Sequence, residues 1–377
     1  MNRRDFLKGL GFSTLALLAP HLALANGLNR STNRRILVLV ELKGANDGIN
    51  TLVPYTNPAY YTARPQVALE HSRILPLSGT VGLHPALSPL MTAWRQGEMA
   101  WIQGVGYDDP NRSHFESIEI WDTATSNIRV LRDGWIAQCF PHHDLAGIAI
   151  DTNLGPLYGA TCSALGISDP VQFVNMGRDI HAMRSSSTNT ALQHVLDVQA
   201  HVDILSSSLA GYLSNVPAAV EQFAMTAFGR SLNSVYTLIA SGLSVPAYKI
   251  TLENFDTHVN QLPIHEGLLG ELARGFVALR NNLMHLGMWD EVLVMTYSEF
   301  GRRLQENASK GTDHGAAAPH LVMGGKVKGG LYGEYPSLTD LDERGDLLYS
   351  TDFRDMYATV QKGWWGLEAQ GKPLAFV

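Results

Sequence analysis

Four stretches of the chain are apolar almost without interruption: Arg35 to Leu42 (RILVLVEL), Met99 to Gly106 (MAWIQGVG), Ala247 to Leu252 (AYKITL) and Val292 to Thr296 (VLVMT). A strand with one wet face alternates apolar and polar residues, so unbroken runs of this length predict strands covered on both faces. Ala146 to Ile150 predicts another short strand. Between about 174 and 243 the period changes. Ala191, Val195, Leu196, Val198, Val202, Leu205, Leu209 and Leu213, then Val235, Leu238 and Ile239, recur near helical spacing, with Pro217 and Gly242 as punctuation. That region is read as a helical insertion. A short helix is expected over His84 to Arg95 and a long one over about Ile264 to Gly287, which makes the fold class α/β.

Polar chemistry begins where the apolar runs end. In open α/β sheets, ligands sit in the crevice beyond the carboxyl ends of the strands. The first run enters Lys43-Gly44-Ala45-Asn46-Asp47-Gly48, a glycine-spaced turn. An isolated Asp-Gly pair is an Asx turn, but its place after a buried strand makes Asp47 a candidate metal ligand as well. After the second run, Ser113 stands at a strand-to-helix turn between Arg112 and His114. Its bland role is an N-cap completed by Glu116 as a capping box; its sharper role is a nucleophile or anion-binding group at a helix start. The third run ends in Asp256-Thr257-His258, whose outer two residues share a face on an extended backbone, as a metal needs, unless they are a hydrogen-bonded loop pair. The fourth leads to Ser298, Glu299 and Arg302, and a loop then delivers Asp313 and His314. Carboxylates gathered with imidazoles repel one another without a cation, and the mixture suits zinc first, with manganese, magnesium or calcium as alternatives. His181, His194 and His201 read as surface or core histidines.

The chain has 377 residues, 45% of them hydrophobic, enough for a large core. Asn2-Arg3-Arg4-Asp5-Phe6-Leu7-Lys8, an apolar run from Gly9 to Leu24 and the ending Ala23-Leu24-Ala25 form a twin-arginine signal peptide over 1–25, cleaved after Ala25. Pro20 and His21 interrupt a run already shorter than the ~20 residues of a spanning helix, so no stable membrane span is expected after cleavage. The twin-arginine translocase is then a partner during export, the mature chain is periplasmic or secreted, and the route favours a cofactor inserted before export. Losing three cations and one carboxylate with the signal takes the formal charge from −7 to −9. With no basic stripe, nucleic acid is not the expected partner. Cys139 and Cys162 could pair or stay free. A redox role lacks support, since there is no Cys cluster, haem signature or Gly-x-Gly-x-x-Gly after a strand.

RRILVLVELKGANDGINTLVPY, GVGYDDPNRSHFESIEIW, ENFDTHVNQ, TYSEFGRRLQENASKGTDHGAAAPHLVMGGKVKGGLYG and TDFRDMY resemble the signatures of a bacterial family of exported twin-arginine proteins of unknown function. That family is grouped with the alkaline phosphatase, sulfatase and phosphoglycerate mutase superfamily, and the resemblance covers nearly all of 26–377. It implies an alkaline-phosphatase-like three-layer sandwich, a central mostly parallel sheet flanked by helices, with a metal site at the carboxyl edge. Asp47 matches the superfamily's aspartate after the first strand, and Ser113 occupies a place similar to its nucleophile. Two departures stand out. Asp256 and His258 are separated by one residue where three are usual, and Ser298-Glu299 stands where an Asp-His pair normally ends the next strand. Either the second metal is lost, or Glu299 replaces that pair and His314 supplies the last ligand, with His320 as a lesser substitute. The implied activity is hydrolysis of a small anionic phosphate or sulfate ester, with Arg112 or Arg302 clamping the anion. The alternative is a metal-supported binding module that assists a periplasmic partner or binds a glycan.

Overall fold

The computed structural model describes residues 35–125, 133–141, 143, 145–179 and 188–377. The expected signal peptide and His181 lie outside the described residues, as do the side chains of His194 and His201. In chain order the strands of the central sheet and of one hairpin are β1 (Ile36–Leu42), β2 (Met99–Gly106), β3 (Gly147–Ile150), β4 (Ala164–Ile167), β5 (Ala247–Leu252), β6 (Val292–Tyr297), β7 (Arg302–Glu306), β8 (Thr312–His314), β9 (Ala318–Met323), β10 (Gly330–Tyr332) and β11 (Thr351–Asp352). The longer helices are α1 (His114–Thr123), α2 (Pro170–Asp179), α3 (Thr190–Leu213), α4 (Ala227–Ala240), α5 (Gln261–His285) and α6 (Phe353–Thr359). The fold is α/β, a central mostly parallel sheet flanked by helices. None of the described helices is long and apolar enough to cross a membrane.

Two compact units divide the described chain: Arg35–Arg132 with Thr251–Val377, and Asp133–Ile250. In the larger unit the strand order is β10-β2-β9-β6-β1, with β11 also on β2. β1 and β6 run parallel from Ile36↔Val292 to Glu41↔Tyr297, while β9 is antiparallel to both β6 and β2. Every residue of β1, β2, β6 and β9 is buried, which is why these sequences do not alternate. Each fully buried Val, Leu or Ile contributes roughly 1.5–3 kcal/mol of burial free energy. Among the polar groups inside, the Thr296 hydroxyl accepts the Leu321 amide at 2.8 Å, while Trp101 Nε1 and His320 Nδ1 are buried without a hydrogen bond.

Parallel pairing brings the ends of β1 and β6 to one edge. There Ser298 Oγ donates to the Leu42 carbonyl at 2.7 Å and accepts the Asn46 amide at 3.2 Å. The Lys43 amide donates to Leu252 O at 3.0 Å, and the Phe255 amide donates back to Lys43 O at 3.0 Å, so the loop after β5 reaches the same place. Gly44 makes this possible: its φ is +111°, and a Cβ there would stand 2.4 Å from the Asp256 amide nitrogen. The long helix α5 begins three residues before the expected Ile264.

In the smaller unit β3 is parallel to both β4 and β5. Helices α2, α3 and α4 account for the helical periodicity between 174 and 243. Asn189 opens α3 by accepting the Ala191 and Leu192 amides, and Thr226 opens α4 by accepting that of Gly229. No disulfide joins Cys139 to Cys162.

Candidate metal centre

Beyond the edge where β1, β5 and β6 end, four side chains converge. His258 Nε2 lies 3.0 Å from Asp256 Oδ1, His314 Nε2 3.3 Å from the same oxygen, and His114 Nε2 3.7 Å from it. The Nε2 atoms of His258 and His314 are 2.9 Å apart. His114, Asp256 and His314 each offer a ligand atom within 4.8 Å of the others, a possible three-residue metal site. His114 stands at the first residue of α1, Asp256 and His258 in the loop after β5, and His314 at the end of β8. A hairpin from β7 to β8, with Arg302 paired to His314, carries the last of these back to the centre.

The other ring nitrogens show how the imidazoles are held. His114 Nδ1 donates to Glu299 Oε1 at 2.6 Å, His258 Nδ1 to Asp313 Oδ1 at 3.0 Å, and His314 Nδ1 to the Arg112 carbonyl at 3.1 Å. All three partners are pure acceptors, so the protons belong on Nδ1 and a neutral ring keeps its lone pair on Nε2. Imidazoles that bind metals are oriented in this way, by a carboxylate or carbonyl on the far nitrogen. Glu299 and Asp313 are therefore placed as anchors of histidines rather than beside the shared Asp256 oxygen. Glu299 is itself fixed by the Gly44 amide at 2.9 Å. Its burial would raise the carboxyl pKa, yet the hydrogen bond from His114 and those from backbone amides hold it below the ordinary value. The bond to Glu299 in turn raises His114 against the effect of burial. Burial lowers His314, with Arg302 acting in the same direction. For Asp256 burial is again overridden, here by the Arg302 guanidinium, and the carboxyl stays low.

Arg302 is fully buried and wholly committed. It donates to the carbonyls of Ala45 at 2.8 Å, Thr312 at 2.8 Å, Gly44 at 2.5 Å and Phe255 at 3.2 Å, to Asp256 Oδ1 at 2.6 Å, and to His258 Nε2 at 3.3 Å. These contacts lace the three edge loops together and leave the guanidinium no free face for an anion. Arg112 is turned away from the histidines: its Nη2 pairs with Asp346 and lies 3.3 Å from Asp342 Oδ2. Only its carbonyl serves the centre.

Asp47 is not brought to the cluster. Arg64, equally buried, forks onto it with Nη1 to Oδ2 at 2.6 Å and Nη2 to Oδ1 at 3.1 Å. Gln261 Nε2 donates to Oδ2 at 2.5 Å and the Ile49 amide to Oδ1 at 3.2 Å, so the carboxylate caps the single helical turn Gly48–Thr51. Burial would raise its pKa, but the Arg64 charge and hydrogen bonds hold it low. Ser113 is the N-cap residue of α1 but makes no side-chain cap bond. The expected capping box is absent because Asn111 intervenes: its Oδ1 accepts the Ser113 amide at 2.8 Å and its Nδ2 donates to Glu116 at 2.5 Å. Sequence reasoning missed Arg64, Gln261 and Asp346. The only prior signal was that a buried Asp47 needs a partner.

His320, the substitute ligand, lies elsewhere, buried beside Trp121 with its pKa pulled down to about 3 by burial.

The chain is similar in structure to a lipoteichoic acid synthase from Listeria monocytogenes, at 9% identity and a TM-score of 0.39, over 100% of this chain and 81% of that one. An alkaline phosphatase superfamily protein from Vibrio parahaemolyticus gives 8% and 0.37 over 92% and 69%. A sulfatase from Pseudoalteromonas gives 10% and 0.32 over 89% and 68%. At these scores the likeness carries no argument about activity. No curated protein matches the sequence. The family described as proteins of unknown function, DUF1501, matches residues 181–375, more than half of the chain, and the protein belongs to that family.

Proposed function

We propose that the protein is an exported, metal-dependent hydrolase of phosphate or sulfate esters. One observation carries this reading: His114, His258 and His314 each spend Nδ1 on a fixed acceptor and turn Nε2 toward the same Asp256 oxygen. The Nε2 atoms of His114 and His314 and the Asp256 oxygen fit a divalent ion, zinc first, with His258 Nε2 beside them, where it also accepts the Arg302 guanidinium at 3.3 Å. His114 Nε2 is buried and has no hydrogen-bond partner, as a ligand atom awaiting a cation would be. A bound ion would lower the pKa of a hydroxyl or water and neutralise charge on the transferring oxygens.

The chain's own part is positioning. The Ser113 hydroxyl makes no cap bond and stands at the N-terminus of α1, where the first amides favour negative charge on a nucleophile or bound ester. Glu299, Asp313 and the Arg112 carbonyl keep the imidazoles aimed, and Arg302 keeps Asp256 in place. Elemental analysis of the mature protein, beside Asp256→Asn and His314→Ala, tests the reading together with turnover of p-nitrophenyl phosphate and sulfate. Near-stoichiometric metal and turnover, both lost in the variants, are expected. A metal-free wild type, or full turnover in either variant, sinks it. Export with cleavage after Ala25 is supported by Arg3, Arg4 and the small residues Ala23 and Ala25; a periplasmic chain should begin at Asn26, and one that keeps residues 1–25 contradicts it.

A second reading, a metal-supported binding module without turnover, is favoured by the commitment of both nearby guanidinium groups, Arg302 to the edge loops and Arg112 to Asp346 and Asp342. Stoichiometric metal with no ester hydrolysed, and calorimetric binding of a small glycan, would select it.

A further inference from the structure

Asp346 has no solvent exposure although it lies in the connection between β10 and β11. A buried carboxylate costs several kcal/mol unless charges offset it. Two guanidinium groups do so, one from the turn before α1 and one from β7. Arg112 immediately precedes Ser113 and His114, and its Nη2 pairs with Asp346. Arg303 follows Arg302 in β7, with Nε 3.3 Å from Asp346 Oδ1. Neither Asp346 oxygen makes a conventional hydrogen bond, so the contact is one of charge. The loop presenting it is built for the purpose: the Asp346 amide donates to Asp342 Oδ1 at 2.8 Å, the Asp342 amide donates to Asp346 O at 2.9 Å, and Leu341 bridges Leu347. Leu338 and Leu347 seat it in the cluster that holds Ile49 and Leu304.

His314 spans the two segments so joined. Its Nδ1 rests on the Arg112 carbonyl at 3.1 Å, and its backbone pairs with Arg302 across the hairpin. We infer that Asp346 is a positioning residue of the metal centre: by holding Arg112 and Arg303 together it fixes the Arg112 carbonyl, and through it the direction of His314 Nε2. This inference rests on the proposed metal centre, and it adds a residue that touches neither ion nor ligand.

The test compares the full mature chain with Asp346→Asn, and with Arg280→Gln, which breaks the 2.6 Å Arg280–Glu98 pair elsewhere in the same unit and controls for lost stability. Zinc affinity is read by chelator competition, and the His314 ring tautomer by nitrogen-detected NMR of the metal-free protein. Asp346→Asn should weaken zinc about tenfold, the low end for an outer partner of a metal ligand, and should mix the His314 tautomers. Arg280→Gln should lose stability with affinity unchanged. Zinc binding by Asp346→Asn within twofold of wild type, an equal loss in Arg280→Gln, or an unmoved His314 tautomer overturns the inference. A wild type that binds no zinc refutes the metal centre instead, while the metal-free tautomer comparison still decides the role of Asp346. If Asp346→Asn does not fold, Arg303→Gln removes one side of the pairing at a half-exposed position and should shift both readouts the same way.

Discussion

Replacing Asp47 separates a scaffold role from a ligand role. Its carboxylate and the Arg64 guanidinium are both fully buried, joined by contacts of 2.6 and 3.1 Å. Removing one member of such a pair leaves an uncompensated buried charge and costs about 3–5 kcal/mol, far more than the pair's net contribution. Asp47→Ala also strips the cap from Gly48–Thr51, a further cost of about 1 kcal/mol. For a unit of this size each kcal/mol shifts Tm by about 2–4 °C, so a drop of about 8–24 °C is expected. Metal content in the surviving folded protein should stay at the wild-type level, because none of the Asp47 partners is a ligand atom of the histidine cluster. Replacing Arg64 by Met as well should recover much of the stability, since the orphaned charge is then gone. Thermal melts by circular dichroism and elemental analysis read the two quantities separately. An Asp47→Ala protein that melts within 2 °C of wild type but has lost its metal refutes the reasoning and makes Asp47 a ligand.

Two further predictions follow from burial. His84, His265 and His320 are each about 1% exposed, and burial pulls their pKa values down to about 3, 4 and 3. A folded-state value below the ordinary 6.5 means that stability is whole above pH 6.5 and falls as pH drops toward the folded values, by roughly 1.4 kcal/mol per pH unit for each histidine. Melts at pH 5 should therefore fall well below those at pH 7, with His320→Met flattening the slope; equal midpoints would contradict it. Gly44→Ala would put a Cβ 2.4 Å from the Asp256 amide at a φ of +111°, so it should cost at least about 2 kcal/mol and lower metal occupancy by displacing Asp256. Unchanged occupancy would mean that the loop has slack.

What could be read from the sequence follows the range of each interaction. The buried strands were legible because β1, β2 and β6 carry their burial in every residue and β5 in all but Thr251. Counting what comes after each strand gathers Asp47, Asp256, His258, Glu299, Asp313 and His314, since parallel strands end together; the structure brings His114, read only as a neighbour of Ser113, to the Asp256 oxygen and leaves Asp47 on Arg64. The division of labour among them was not legible. A carboxylate that ligates and one that anchors an imidazole are the same letter, and only the contacts of His114 and His258 with Glu299 and Asp313 assign the second role. Arg302 misled in the same way, since an arginine after a strand is equally suited to clamp an ester or to satisfy four carbonyls. Asp47 was ambiguous locally: its Asx turn is present, while the partner that settles its charge, Arg64, lies beyond a turn and a short helix. At Ser113 the capping-box pattern was real in sequence, but Asn111 accepts the Ser113 amide and engages Glu116, so the reciprocal bonds of the box do not form.

Charge accounting limits the number of ions. Around the histidines stand three carboxylates, Asp256, Glu299 and Asp313, against one guanidinium, Arg302. With neutral imidazoles, two negative charges are left over, which is the charge of one divalent ion. Without an ion the balance has to come from protons, and the bond to Glu299 already raises His114. The neighbouring carboxylates are compensated internally: Asp47 by Arg64, and Asp342 and Asp346 by Arg112 and Arg303. A second cation near Asp47 would have to displace a buried, bidentate guanidinium, at the cost of leaving that charge without a partner. Zinc titration followed by native mass spectrometry should therefore saturate at one ion per chain. Two ions of comparable affinity would mean that the Asp47–Arg64 pair opens to admit metal, and would return Asp47 to the ligand set.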